Sequence, residues 1–208
     1  MGYYPIFIEM RDRPILVVGG GDVAERKVEG LLAAGAAVTV VSPSLTPRLA
    51  TLAASGRIRH EARPYQPGDL ACFALGFVAT GDERVNAAVA REGRRRGMWV
   101  NAADDPAHCD FILPAVLRRG DLTVAVATGG TSPALARAVR EELEVYLTDD
   151  YAGLAEIVGD VRRELRARQR SPDAETWHQA LRPDLRALVA EGRRDEARRR
   201  LLERLGAA

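Results

Sequence analysis

Lysine is almost missing from this chain: Lys27 stands alone beside 29 arginines in 208 residues. We read the skew as a compositional habit of the coding sequence. Cysteine is nearly as scarce. Cys72 and Cys109 are too few and too far apart for a zinc framework, and a cytoplasmic chain is expected to keep both reduced. His60, His108 and His178 show no metal-ligand spacing, so no metal site is expected. Aromatic residues make up 5% of the chain, and Trp177 is alone among the last helical stretches, which removes a stacking platform for single-stranded nucleic acid. A net charge of +1 supplies no field for nucleic acid either. No apolar run approaches the ~18 residues of a membrane span, and Met1-Gly-Tyr-Tyr-Pro5 lacks a basic region followed by an apolar core. The expectation is a cytoplasmic protein with neither membrane nor nucleic-acid partners.

What the chain does have is glycine in one informative place. Gly19-Gly20-Gly21-Asp22-Val23-Ala24 follows the apolar run Pro14–Val18 and opens an amphipathic stretch. The pattern G-x-G-x-x-A at a strand-to-helix turn is a pyrophosphate-binding device: the glycines let backbone approach phosphate, and Ala24 lets helix and strand pack closely. The helix start adds free N–H groups. The stretch 24–34 reads as helix, Gly35 as its end, and 37–41 as the next strand. The acid that would hold a ribose hydroxyl after that strand is replaced by Ser42, followed by Pro43 and Ser44. With no arginine directly after the strand, the nearest being Arg48, NAD is favoured over NADP.

The βα rhythm continues with a helix from Ser44 to about Ser55, strands near 58–62 and 75–79, a helix 83–96 capped by Asp82 and ended by Gly97, and a strand 98–101. Strand ends of a parallel sheet share one crevice, which should gather residues 19–23, Ser42, Thr80 and Asn101. After Asn101 the pattern changes. Residues 111–117 and 122–128 read as a hairpin turning at 118–121, suited to pairing with a second copy. Ser132 and Pro133 then open a helix to about Leu147, a second anion-receptive start that Arg137 and Arg140 could reinforce for a substrate carboxylate or phosphate. From Tyr151 the chain is helical, with breaks at 171–172 and 182–183 and 13 arginines against 9 acids over residues 160–208, a balance fitting either a solvated face or a ligand funnel. The fold class is therefore α/β: a Rossmann-like parallel sheet domain over residues 1–113, a hairpin and helix dimerisation segment over 114–147, and a helical domain over 148–208. Where the crevice meets an ionisable group, Asp104 is the candidate proton acceptor, while Asp105 before Pro106 has a turn to fix.

Several segments in order carry a resemblance across nearly the whole chain: Pro5-Ile-Phe7, Arg11-Asp-Arg13, Val18 to Lys27, Val41-Ser-Pro43, Asn101 to Pro106, Cys109 to Pro114 and Thr128 to Pro133. Together they resemble the precorrin-2 dehydrogenase and sirohydrochlorin ferrochelatase family, the N-terminal module of siroheme synthases. The resemblance implies NAD-dependent oxidation of precorrin-2 to sirohydrochlorin on the route to siroheme or cobalamin, and an intertwined homodimer. By the resemblance, Asp104 matches the family's essential aspartate, and Asp22, Val23, Pro43 and Ser44 match its NAD contacts. In bifunctional members the same aspartate assists insertion of ferrous iron, which is then a substrate. The methyltransferase of trifunctional relatives is not expected within 208 residues. A reading from another class is an NAD-sensing module without turnover. A generic dehydrogenase of small alcohols or acids would want a Tyr-x-x-x-Lys pair or a histidine in the crevice, and neither is evident in the sequence.

Overall fold

The protein is described by a computed structural model covering residues 2–103 and 108–207. Within them the chain divides into two compact units, Met1–Ile112 and Leu113–Ala208. The first carries five parallel strands: β1 Pro14–Val18, β2 Ala37–Val41, β3 Arg59–Glu61, β4 Leu75–Val78 and β5 Val100–Ala102, in the order β3-β2-β1-β4-β5. The order reverses between β2 and β4, on either side of β1, so the crevice of a doubly wound sheet opens beyond the end of β1.

Alternation along the strands sorts the core onto two faces. Ile15, Val17, Val38 and Val40 pack with Ala24 and Val28 of helix α1 (Asp22–Ala33) and Leu49 of helix α2 (Pro47–Ala54). Leu16, Val18, Val41 and Val78 pack with Val89 of helix α3 (Glu83–Arg96) on the other. Strands buried on both faces must be apolar throughout, which is why β1 reads Ile-Leu-Val-Val after its first residue. Each such side chain contributes about 1.5–3 kcal/mol when fully buried.

The ends of α3 are those expected: Asp82 accepts a hydrogen bond from the Arg84 amide at 2.8 Å, and Gly97 adopts φ 66°. Other boundaries move for local reasons. α2 does not begin at Ser44, because the Ser42 hydroxyl donates to the Ser44 carbonyl and the Thr46 amide to the Gly20 carbonyl, holding 42–46 as a loop; Thr46 is the cap. β5 starts at Val100 and not at Met98, whose amide still satisfies the Gly93 carbonyl at the end of α3.

In the second unit, β6 Ala115–Arg119 and β7 Leu122–Val126 form an antiparallel ribbon with Arg119 opposite Leu122, so the turn is the pair Gly120-Asp121 and the arginines lie in the strand. The expected strand start at Phe111 is corrected: the Phe111 ring meets Phe77 edge-on at 5.5 Å within the first unit, and Pro114 has no N–H to pair. Helix α4 (Pro133–Tyr146) begins as expected, with the Ser132 hydroxyl accepting from the Leu135 amide at 3.1 Å. Helices α5 (Asp150–Ala167), α6 (Ala174–Ala180), α7 (Pro183–Ala190) and α8 (Arg194–Arg204) bury Ile157, Leu165, Leu185 and Leu201 among themselves. No helix among the described residues is long and apolar enough to cross a membrane.

Candidate functional site

The turn after β1 is built from three glycines with three different reasons. Gly19 has φ 119°, and a Cβ there would stand 2.3 Å from the Ala79 carbonyl oxygen at the end of β4. Gly20 is crowded by the loop after β2, since a Cβ would stand 2.0 Å from the Ser44 carbonyl oxygen and 2.7 Å from the Ser42 hydroxyl. Gly21 has an ordinary φ of −89° and nothing within 4 Å of its Cβ position. No packing in the protein requires glycine there. Gly21 is instead the cap of α1, makes no side-chain cap bond, and lines an open cleft of about 820 Å³. The first N–H groups of a helix have no intrahelical acceptor, so a start with no side-chain cap at the wall of a cleft is receptive to an anion.

The volume suits a ligand of cofactor size. Gly21, Asp22, Val23 and Thr80 line the cleft together, as expected from their strand-end positions. Gly19 and Gly20 stand behind it and allow the strands and loop to close up. Thr80 donates to Asn86 Oδ1 at 2.7 Å, and Asn86 Nδ2 returns to the Thr80 carbonyl at 3.3 Å, fixing the β4 exit onto the first turns of α3.

Other expected members lie elsewhere. Ser42 is buried at the end of β2, and its carbonyl takes a hydrogen bond from His60 Nε2 at 2.9 Å. Pro43 and Ser44 are exposed beside it and do not line the cleft. Asn101 does not line it either, because residue 101 faces α1 and its side chain is consumed there: Lys27 Nζ donates to Oδ1 at 2.8 Å, and Nδ2 donates to the Phe111 carbonyl at 2.9 Å. Asp104 and Asp105 lie outside the described residues. The nearest described residues on either side, Ala103 and His108, both line the cleft.

Ser132, Arg137 and Arg140 belong to the second unit. Ser132 is occupied as the cap of α4, Arg137 pairs with Glu141 at 3.5 Å, and Arg140 pairs with Glu141 and Glu144 at 3.0 and 2.8 Å. Arg119 is also occupied, donating to the Leu147 carbonyl at 2.7 Å.

Sequence reasoning missed Glu83, Asn86 and His108 as cleft residues. Asn86 carried a usable signal, a polar residue on the inward stripe of α3, where it is buried. His108 had none, since only the return of the chain beside β5 brings it back. The crevice therefore does contain a histidine. Among the described residues no cluster of three or more His, Cys, Asp or Glu side chains could hold a metal ion.

A family model described as "Putative NAD(P)-binding" matches residues 6–115, and one described as "Sirohaem biosynthesis protein central" matches residues 119–146. The siroheme synthase of Methylococcus capsulatus is 43% identical over 210 residues, covering 100% of this chain and 44% of that protein. The siroheme synthase of Methylobacillus flagellatus is 48% identical over 164 residues, covering 79% and 35%. The chain thus spans less than half the length of these relatives. A solved structure of SirC, a precorrin-2 dehydrogenase, superposes with a TM-score of 0.71 at 25% identity, covering 99% of this chain and all of that one.

Proposed function

This chain belongs to the NAD(P)-binding family matched over residues 6–115 and to the precorrin-2 dehydrogenase module of siroheme synthases, and on that premise we propose that it oxidises precorrin-2 to sirohydrochlorin with NAD. The observation that carries the reading is the helix start at Gly21 on the wall of the cleft, with no side-chain cap and with glycine where no packing requires it. In this reading the Asp22 and Val23 amides hold the pyrophosphate, and Pro43 and Ser44, exposed after β2, meet the adenosine ribose. NAD, when bound, supplies the hydride acceptor. One hydride and one proton leave the tetrapyrrole together. Asp104, carried between the cleft residues Ala103 and His108, accepts the proton.

Precorrin-2 bears eight carboxylates, and Ser132, Arg137 and Arg140 remain the candidates for binding them. The two arginines would exchange Glu141 and Glu144 for substrate. The chain acts as a homodimer in the cytoplasm, associating through the hairpin and α4. A second activity, insertion of ferrous iron as a substrate, is favoured by the name siroheme synthase that the relatives bear.

An anaerobic assay with fresh precorrin-2 and NAD tests this. NADH formation is expected, and Asp104→Asn should lower turnover by about 10²–10⁴-fold while NAD still binds. NAD binding without any NADH would replace the enzyme by the NAD-sensing module. Ferrous iron added after oxidation should give siroheme faster than a protein-free control if the chelatase is present.

A further inference from the structure

Lys27 is the one place where this chain keeps lysine while using arginine 29 times elsewhere. Its surroundings explain why. The ammonium lies 5.5 Å from the centre of the Phe77 ring on β4 and donates to Asn101 Oδ1 on β5 at 2.8 Å. A compact point cation suits a ring face together with an amide oxygen, a pairing that a planar guanidinium fork matches less well.

Asn101 passes the contact on. With its oxygen held by Lys27, its amide nitrogen points to the Phe111 carbonyl at 2.9 Å and to Cys109 Sγ at 3.6 Å. The Cys109 thiol donates to the Ala102 carbonyl at 3.0 Å, and Asp110 closes the open edge of β5 by accepting from the Val100 amide at 2.8 Å and donating its own amide to the Val100 carbonyl at 2.9 Å. On the entry side the Ala103 amide is held by the Val78 carbonyl at 2.8 Å. Ala103 on one side and Cys109, Asp110 and Phe111 on the other are therefore held to the same sheet edge, and the hold reaches through Lys27 into α1, whose first residues wall the cleft.

We infer that Lys27 and Asn101 are positioning residues for the proposed dehydrogenation: they set the return of the chain after β5 relative to the helix that starts at the cofactor turn. The inference rests on the reading of Asp104 as proton acceptor, because that residue follows Ala103 in the sequence and precedes the held residues 109–111. Lys27→Met and Asn101→Leu should each lower kcat about 10- to 100-fold, the scale of an ångström-sized misplacement, per molecule that binds NAD. KM and Kd for NAD should stay within about twofold, since neither side chain lines the cleft. Lys27→Met with Asn101→Leu should cost no more than the worse single change, because both remove one coupled device.

Unchanged kcat in both single variants, additive losses, or losses that follow NAD affinity would each overturn the inference. Asp104→Asn separates it from the reading beneath it. If that variant keeps turnover, the role of Asp104 falls, and hydrogen exchange alone decides the hold: the amides of residues 108–112 must exchange faster in Lys27→Met, and equal rates would sink it.

Discussion

At the scale of single residues, the three glycines after β1 separate structure from function. Gly19→Ala would drive a methyl group to 2.3 Å from a backbone carbonyl at a φ of 119° that alanine rarely adopts. Strain of that kind costs about 1–3 kcal/mol, and the melting temperature should fall. Gly21→Ala meets nothing within 4 Å and has an ordinary φ, so stability should fall by no more than the ~1 kcal/mol that separates glycine from alanine at a helix cap. NAD affinity should nevertheless drop, because the methyl group would stand at the cleft wall where the proposed site places the pyrophosphate. Thermal unfolding and a NAD titration of the two variants check this. Equal NAD affinity for Gly21→Ala and the unaltered protein would remove the chief support for the cofactor site.

Among the elements, α3 is tied to the loop before β4 by a buried carboxylate. Glu92, 3% exposed, accepts from the Tyr65 hydroxyl at 2.5 Å, the Gly68 amide at 2.7 Å and Arg96 at 2.7 Å. Burial by itself raises the Glu92 carboxyl, but the three donors outweigh it and hold the group below the ordinary glutamate value of 4.5. The Tyr65 hydroxyl is pushed upward, first by burial and then by the carboxylate it serves. A carboxyl held low in the native state stabilises folding fully above its ordinary value, and that contribution is lost as pH falls through the native value. Melting temperature should therefore decline as pH drops below about 4.5. Glu92→Gln should cost about 1–3 kcal/mol at neutral pH and flatten the acid decline, as a series of melting curves would register. A variant with the same acid slope would place the titrating group elsewhere. The same element carries the cleft side of β4, through Thr80 and Asn86, so its anchoring bears on the site as well as on stability.

For the whole molecule, the second unit leaves apolar surface uncovered. Of the 14 residues of α4 only Ala136 is buried, while Leu135, Val145 and Tyr146 are 54%, 75% and 72% exposed. The ribbon β6–β7 has two strands and a single buried residue, Leu117, which is less than a ribbon needs to be stable by itself. Burying these surfaces against a second copy resolves both, and sedimentation should find a dimer. Val145→Glu with Tyr146→Glu should shift it toward monomer, and a monomeric unaltered protein would end the dimer proposal. The arginines of the helical region argue against a ligand funnel, since Arg198 pairs with Glu164, and Arg200 and Arg204 with Asp184. They knit helix to helix.

Much of this molecule was legible in its residues because the signals were local. A glycine turn between an apolar run and an amphipathic stretch, Asp82 and Gly97 bracketing α3, and Ser132-Pro133 opening α4 each act within a few residues, so the local order of residues determined the parallel sheet, its helices and the crevice side of Gly21, Asp22, Val23 and Thr80. What only the tertiary structure decided were contacts between segments far apart in sequence. Asn101 reads as a crevice residue until Lys27, 74 positions away, takes its carbonyl. His108 reads as an isolated histidine until the chain doubles back along β5. Strand alternation sets which face a side chain takes, but what waits on that face is fixed only when the helices pack.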